Sequence, residues 1–167
     1  MTQEVCVGLS ATQFWEKYFI DEAEFGFDKF MQHRGEQNVT VTPWAEPAST
    51  EEATFLGMTA KKMRQLSMVV QVKGNPFVKE CPTTKTYYLL EQSETKLHIL
   101  CRNNTKDVPY CDTFQVLDEL LFVSPEASSQ PIIKSGALRQ SFSIQWLKST
   151  MMKGMIRGNV DTETKAV

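Results

Sequence analysis

Lys62-Met63-Arg64-Gln65-Leu66-Ser67-Met68-Val69-Val70-Gln71-Val72 runs into Lys73-Gly74-Asn75-Pro76-Phe77-Val78-Lys79-Glu80-Cys81-Pro82-Thr83-Thr84-Lys85, and then into Thr86-Tyr87-Tyr88-Leu89-Leu90-Glu91. In the first run Leu66, Met68, Val70 and Val72 fall on one side of an extended chain, and Ser67, Gln71 and Lys73 on the other. From Lys85 to Glu91 the chain again reads as a strand, carried by Tyr87, Tyr88, Leu89 and Leu90. The pattern predicts two antiparallel strands joined by an irregular loop over 73–85. Hairpins usually close in about two to five residues, and a longer loop more often serves as a lid or binding loop. Phe77 and Val78 stand between Lys73 and Lys79. An apolar tip between cations suits an anionic membrane surface. It also suits a surface loop that tucks Phe77 into the protein's own core.

Charge is uneven around this loop. The chain of 167 residues carries a formal net charge of −2. Residues 1–60 hold three basic and ten acidic side chains, whereas residues 61–85 hold six basic and one acidic. A basic segment in an acidic chain fits contact with an anionic surface or a solvated strand face. It fits general nucleic-acid binding poorly, because no basic stripe extends along the chain.

Outward from the loop, Ser10 with Gln13 three residues on reads as a capping box, followed by Phe14, Trp15, Tyr18 and Phe19 at helical spacing. A second helical piece is predicted over 24–32, with Gly35 as its stop. Strands are predicted at 38–44, 54–60, 62–72, 85–91, 96–102, 114–123 and within 132–147. A last helix over 148–160 places Met151, Met152, Met155, Ile156 and Val160 on one broad stripe. The expected fold class is α+β: two short helices, five to seven antiparallel strands, then an amphipathic helix. One domain over 1–167 is expected, since a chain of this length can bury roughly 70% of its unfolded surface.

Catalytic chemistry is sparse. Lys73-Gly74-Asn75 and Lys153-Gly154-Met155 match no phosphate loop, and no Ser sits in a GxSxG setting. Asp118 and Glu119 are adjacent, so on a strand they face opposite ways and cannot form a carboxylate dyad. His33 and His98 lack ligand-spaced partners, so no metal and no cofactor is expected. Cys6, Cys81, Cys101 and Cys111 are widely spaced, which favours free thiols. No apolar run reaches 18 residues. What remains is an apolar sheet face and a methionine-rich helix. Met68, Met151, Met152 and Met155 suit either plain core packing or a cavity for a rigid apolar ligand.

Several segments together resemble one family. They are Phe25-Gly26-Phe27-Asp28-Lys29-Phe30, Asn38-Val39-Thr40-Val41-Thr42-Pro43-Trp44, Asn75-Pro76-Phe77-Val78 with Thr83-Thr84-Lys85-Thr86, Asp107-Val108-Pro109-Tyr110-Cys111-Asp112-Thr113-Phe114, and Ser143-Ile144-Gln145-Trp146-Leu147-Lys148-Ser149-Thr150 running into Lys153-Gly154-Met155-Ile156. In this order they resemble the VASt domain (VAD1 analogue of StAR-related lipid transfer), also called the ASTER or StART-like sterol-transfer domain. The resemblance implies a helix-grip architecture, in which a curved antiparallel sheet holds the C-terminal helix around a sterol-sized cavity gated by the loop at 73–85. It implies a non-enzymatic domain that moves a cholesterol- or ergosterol-like sterol between membranes and responds to anionic phospholipid. The family acts on the cytosolic face of membranes, often at endoplasmic reticulum contact sites, commonly with a GRAM domain before this domain and a membrane anchor after it.

The expected lipid-binding residues are Met68, Val70, Val72, Gly74, Asn75, Pro76, Phe77, Val78, Tyr88, Met152 and Met155. Those expected at the membrane are Lys73, Phe77, Val78 and Lys79, with Lys61 and Lys62 adding charge. A monomeric domain is expected, with no nucleic-acid partner. The alternative is a helix-grip module that docks a protein or membrane and carries no ligand. Two positions depart from the family pattern: Cys111, where Gly is frequent, and the poor helix formers after Gly158, which predict a short final helix.

Overall fold

The computed structural model describes residues 2–72, 78–124 and 136–165. Seven strands form one antiparallel sheet, in the order β1 (Thr2–Val7), β9 (Gly136–Trp146), β8 (Phe114–Val123), β7 (Lys96–Thr105), β6 (Glu80–Gln92), β5 (Lys62–Gln71) and β2 (Gln37–Val41). Helices α1 (Ala11–Tyr18), α2 (Phe27–His33), α3 (Thr50–Ala53) and α4 (Lys153–Lys165) complete the α+β fold, with a small hairpin β3 (Thr54–Phe55) and β4 (Met58–Thr59). Leu56 and Gly57 both take positive φ, 52° and 76°, as a tight two-residue hairpin turn requires.

Period-two alternation gives the sheet two apolar faces. On the inner face Leu66, Tyr87, Leu89, Leu97, Ile99 and Phe122 form a core with Phe14 and Phe19 of the N-terminal helical region. The capping box is present: Gln13 N donates to Ser10 Oγ (3.2 Å) and Ser10 N to Gln13 Oε1 (2.9 Å). It starts α1 where Phe14 can stack on Phe122, ring centroids 4.7 Å apart. Gly136 of β9 makes room for the Phe122 ring, since a Cβ there would lie 2.1 Å from it. On the outer face Tyr88, Leu100 and Ala60 form a smaller cluster under the β3–β4 hairpin, with Phe55 stacked on Tyr88 at 5.2 Å.

The structure corrects several boundaries. The loop predicted over 73–85 ends earlier, because Glu80–Lys85 belong to β6 and pair with Leu66–Gln71 of β5. Pro82 signals a loop, yet it sits at the end of the β7 ladder. Its carbonyl accepts from Lys106 N (2.8 Å), and its missing N–H affects only that terminal position. Val72 N donates to Lys79 O (2.8 Å) and closes the base of a shorter connection. Lys73, Gly74, Asn75, Pro76 and Phe77 lie outside the described residues. Strand β1 has no sequence signal because it is an exposed edge, held to β9 by backbone pairing from Thr2↔Ser141 to Val7↔Gly136.

The last helix is displaced toward the C-terminus. Leu147 N and Lys148 N both donate to Thr113 O (2.8 and 3.2 Å), so these residues still extend the sheet and cannot begin a helix. The helix then continues to Lys165 despite the poor helix formers after Gly158. The departure at Cys111 costs nothing in backbone conformation, because the left-handed residues of that connection are Asp107 and Tyr110.

Candidate functional site

Along the inner face the apolar fill stops partway. Beyond Tyr87, Ile99 and Leu120, toward the end where β5 meets β6, lies a cavity of about 410 Å³. An adjoining, more enclosed space of about 110 Å³ reaches back toward Phe19, Phe27 and Tyr87. Met68 and Val70 of β5 and Phe114 and Val116 of β8 supply the larger cavity's apolar floor. Met31, Arg34 and Glu36, from α2 and the turn after it, border one side, and Val160 of α4 borders another. Sites for small ligands commonly enclose about 300–1,000 Å³.

A polar row crosses the floor. Lys85 on β6 and Asn103 on β7 are register partners, and Asp118 lies on β8. Asn103 Nδ2 donates to Asp118 Oδ2 (3.0 Å), and Lys85 Nζ is 3.9 Å from the same oxygen. Asp118 Oδ1 is buried without a hydrogen-bond partner among the described residues. Burial holds the Asp118 carboxyl above its ordinary range, opposed by the Lys85 charge and the Asn103 hydrogen bond. Beneath this row, burial pushes the Cys101 thiol up to about 12, which leaves it un-ionised near neutrality.

Nearer the loop, Arg34 Nε is 3.8 Å from Glu36 Oε1, and Glu36 Oε2 accepts from Gln71 N (3.1 Å). The cavity's ionisable groups thus balance, Arg34 and Lys85 against Glu36 and Asp118. Glu119 faces the other way, as the alternation requires. It meets His98 Nε2 at 2.8 Å and accepts from Ser141 Oγ at 3.4 Å. Among the described residues no group of three or more His, Cys, Asp or Glu could hold a metal ion, and no disulfide joins the four cysteines.

The residues expected at a lipid site separate into distinct places. Met68 and Val70 line the larger cavity, whereas Val72 and Val78 flank the loop outside it. Tyr88 is not on this face. Strand alternation turns Tyr87 inward and Tyr88 outward, into the cluster with Ala60 and Leu100. Met152, in the turn just before the last helix, is half-buried, Ile156 is buried and Val160 reaches the cavity, so the described residues on the inward side are 152, 156 and 160. Met155 is 49% exposed and Met151 fully exposed, because both fall off that stripe.

The basic segment also disperses. Lys61 and Lys62 sit at the opposite end of β5 from the loop, roughly 30 Å away for a ten-residue strand. Arg64 is buried against Trp44 and donates to Phe19 O (3.1 Å), and Lys85 lies in the cavity floor. Lys79 remains exposed beside the loop. Its companions at that end of the sheet are Lys106, Lys148 and Lys153, with exposed Tyr110, Leu147 and Met151 among them. Lys148 Nζ pairs with Asp112 Oδ2 (2.6 Å), and Lys153 Nζ lies over the Trp146 ring (5.3 Å).

Sequence reasoning passed over Lys85, Asn103, Val116 and Asp118 as site residues. The available signal was a charged residue inside an apolar alternation: Asp118 shares its strand face with Val116, Leu120 and Phe122.

No helix among the described residues is long and apolar enough to cross a membrane. No curated protein matches the chain. A family model described as the VAD1 Analog of StAR-related lipid transfer domain matches residues 2–163, nearly the whole length. With its antiparallel sheet and the cavity on its inner face, the chain belongs to the VASt family and is a lipid-transfer domain.

Proposed function

We propose that this domain is a non-enzymatic sterol carrier, which takes one sterol into the inner-face cavity and exchanges it between membranes. The observation that carries the reading is the cavity itself: an apolar floor with one charge-balanced polar row at its inner end. Charge balance favours a neutral ligand, and the apolar floor favours one whose body is mostly apolar. Covering a few hundred Å² of apolar ligand surface at about 25 cal/mol per Å² gives several kcal/mol before ordering costs. That amount competes with a membrane without trapping the cargo. In this reading the sheet grips α4 as in a helix-grip fold, and the inward stripe of Met152, Ile156 and Val160 closes over the ligand.

The reading extends to the membrane. The connection carrying Lys73, Phe77, Val78 and Lys79 touches lipid and gates the cavity. Exposed Tyr110, Leu147 and Met151 at the same end add apolar contact, and Lys106 and Lys153 meet anionic headgroups, at about 1 kcal/mol each near an anionic leaflet. The domain works as a monomer on the cytosolic face of membranes, at endoplasmic reticulum contact sites when flanking segments tether it there.

A titration with a fluorescent sterol, challenged by unlabelled phospholipids and fatty acids, tests the carrier. Saturable binding of one sterol per chain, displaced by sterol and resistant to phospholipid, is expected. Displacement by phospholipid would assign another cargo, and no binding would leave a docking module without ligand. In liposome exchange, Phe77→Asp slows transfer with an unchanged melting temperature. Normal transfer by that variant would remove the gate.

A further inference from the structure

The N-terminal helices carry more aromatic surface than the core takes up. Helix α2 turns Phe27 and Met31 toward the core, at the spacing that puts two side chains on one face. Phe27 meets Phe19 at 5.2 Å and Tyr87 at 5.7 Å. Phe30 falls off that face and stays 44% exposed. Phe25 is 50% exposed, its ring meeting Tyr18 with centroids 6.1 Å apart. The two exposed rings flank one helix start: Gly26 is the N-cap of α2, and Phe30 N donates to Gly26 O at 3.0 Å. Apolar side chains just before the N-cap and four residues after it commonly share one side of the first turn. The connection from α1 is tight, since Phe25 N donates to Lys17 O at 3.2 Å, and it carries Ile20, 37% exposed. Exposed apolar groups gathered on one surface mark a site of interaction.

Charge says what kind of partner fits. Residues 16–30 hold five acidic side chains, Glu16, Asp21, Glu22, Glu24 and Asp28, and two basic ones, Lys17 and Lys29. Glu16, Glu22 and Glu24 are exposed and enter no ion pair among the described residues. Lys29 Nζ is turned to the backbone, donating to Ala23 O at 2.7 Å. Lys17 Nζ lies over the Phe25 ring at 5.0 Å, so this ring already attracts a cation. These carboxylates oppose an anionic leaflet. The exposed lysines that suit one, Lys79, Lys106 and Lys153, gather at the loop end of the sheet. An apolar surface among free carboxylates is instead complementary to a cationic protein segment.

We propose that the surface of Phe25, Phe30 and Ile20, with the carboxylates of Glu16, Glu22 and Glu24, docks a basic protein segment that carries apolar anchors. The anchors cover the rings and supply most of the affinity. Lysine or arginine side chains of the partner meet the carboxylates, which speed association and select against acidic partners. The assignment does not depend on which ligand the cavity takes. Phe30 also borders the smaller cavity, so the test variants leave it in place.

The test uses a random peptide library displayed on phage and selected on the wild-type domain. The enriched peptides are synthesised and titrated into wild type, Phe25→Ser and Glu22→Lys/Glu24→Lys. The enriched sequences should be net basic with at least one aromatic or branched apolar anchor. Their affinity should fall at least about tenfold in Phe25→Ser, as for a central anchor contact, and fall again in the charge variant. Wild-type binding should also weaken as salt is raised. The charge variant changes only exposed side chains, so it carries the test if Phe25→Ser loses its circular dichroism. No enrichment, enriched peptides that are acidic or uncharged, or equal binding to a folded variant overturns the assignment. Two other occupants are tested with the same proteins. Self-association of wild type in sedimentation, abolished in the folded variants, would assign the surface to a second copy of the chain. Flotation with vesicles of phosphatidylcholine and phosphatidylserine, abolished by Phe25→Ser, would assign it to a membrane. Either result overturns the basic partner.

Discussion

The inner face of one sheet carries two halves that differ in what covers them. At the end built from Leu89, Leu97 and Phe122, the N-terminal helical region brings Phe14 and Phe19 down onto the strands and the space is filled. At the other end Met68, Val116 and Phe114 stand beneath α2 and α4 with about 410 Å³ between them. The strands are the same strands with the same alternation. The difference is that α1 is amphipathic, capped and aromatic, whereas the described residues turned inward from α4 and the turn before it are Met152, Ile156 and Val160, at intervals of four. A core and a pocket can therefore share one sheet face, separated by the polar row of Lys85, Asn103 and Asp118.

The largest effect should fall in the filled half. Phe122→Ala removes a fully buried ring stacked on Phe14, and should lower stability by about 3–5 kcal/mol in urea unfolding. Sterol affinity measured under folding conditions should hardly change. A variant that keeps its stability but loses ligand would erase the distinction between the halves. A reciprocal change in the hollow half, Val116→Trp, fills part of the space that the ligand would occupy. Affinity should fall more than about tenfold, with stability altered by less than about 1.5 kcal/mol, because the added ring enters existing space. A large destabilisation there would mean that the space is already committed to packing.

The smallest effect concerns the border. Asp118 has a raised pKa in the folded state, so the folded protein binds its proton more readily than the unfolded chain does. Its contribution therefore favours folding at acid pH and is lost as pH rises from the ordinary carboxylate value of 3.8 through the raised folded value. Compared with Asp118→Asn, wild type should lose relative stability across that interval and stay flat above it. A difference of the opposite sign would mean that Lys85 and Asn103 outweigh burial.

Much of the fold was legible because periodicity survives wherever one face is apolar. Strand β8 was bounded at Phe114–Val123 from its pattern alone, and Ser10 with Gln13 located the start of α1. Elements that rely on backbone pairing left little trace, as with β1, whose residues are nearly all exposed. Pro82 misled because its loop signal ignores where the neighbouring strand ends. The site was less legible than the fold. Met68 and Val70 announce an inward face, but nothing local distinguishes a residue over a cavity from one under a helix. That depends on which element arrives from elsewhere in the chain, and Val160 lies ninety residues beyond Val70. Tyr88 was misplaced because Tyr87-Tyr88-Leu89-Leu90 is apolar on both faces, the outer one covered by the β3–β4 hairpin.

The central claim is that the hollow half binds sterol, and ligand-linked unfolding tests it most directly. Urea unfolding is measured with and without free sterol at about a hundred times its dissociation constant, for wild type and Val116→Trp. Wild type should gain about 2.7 kcal/mol, the stabilisation expected when a ligand binds only the folded state, and Val116→Trp should gain almost none. Equal stabilisation of both proteins would place the ligand outside the cavity and contradict the account.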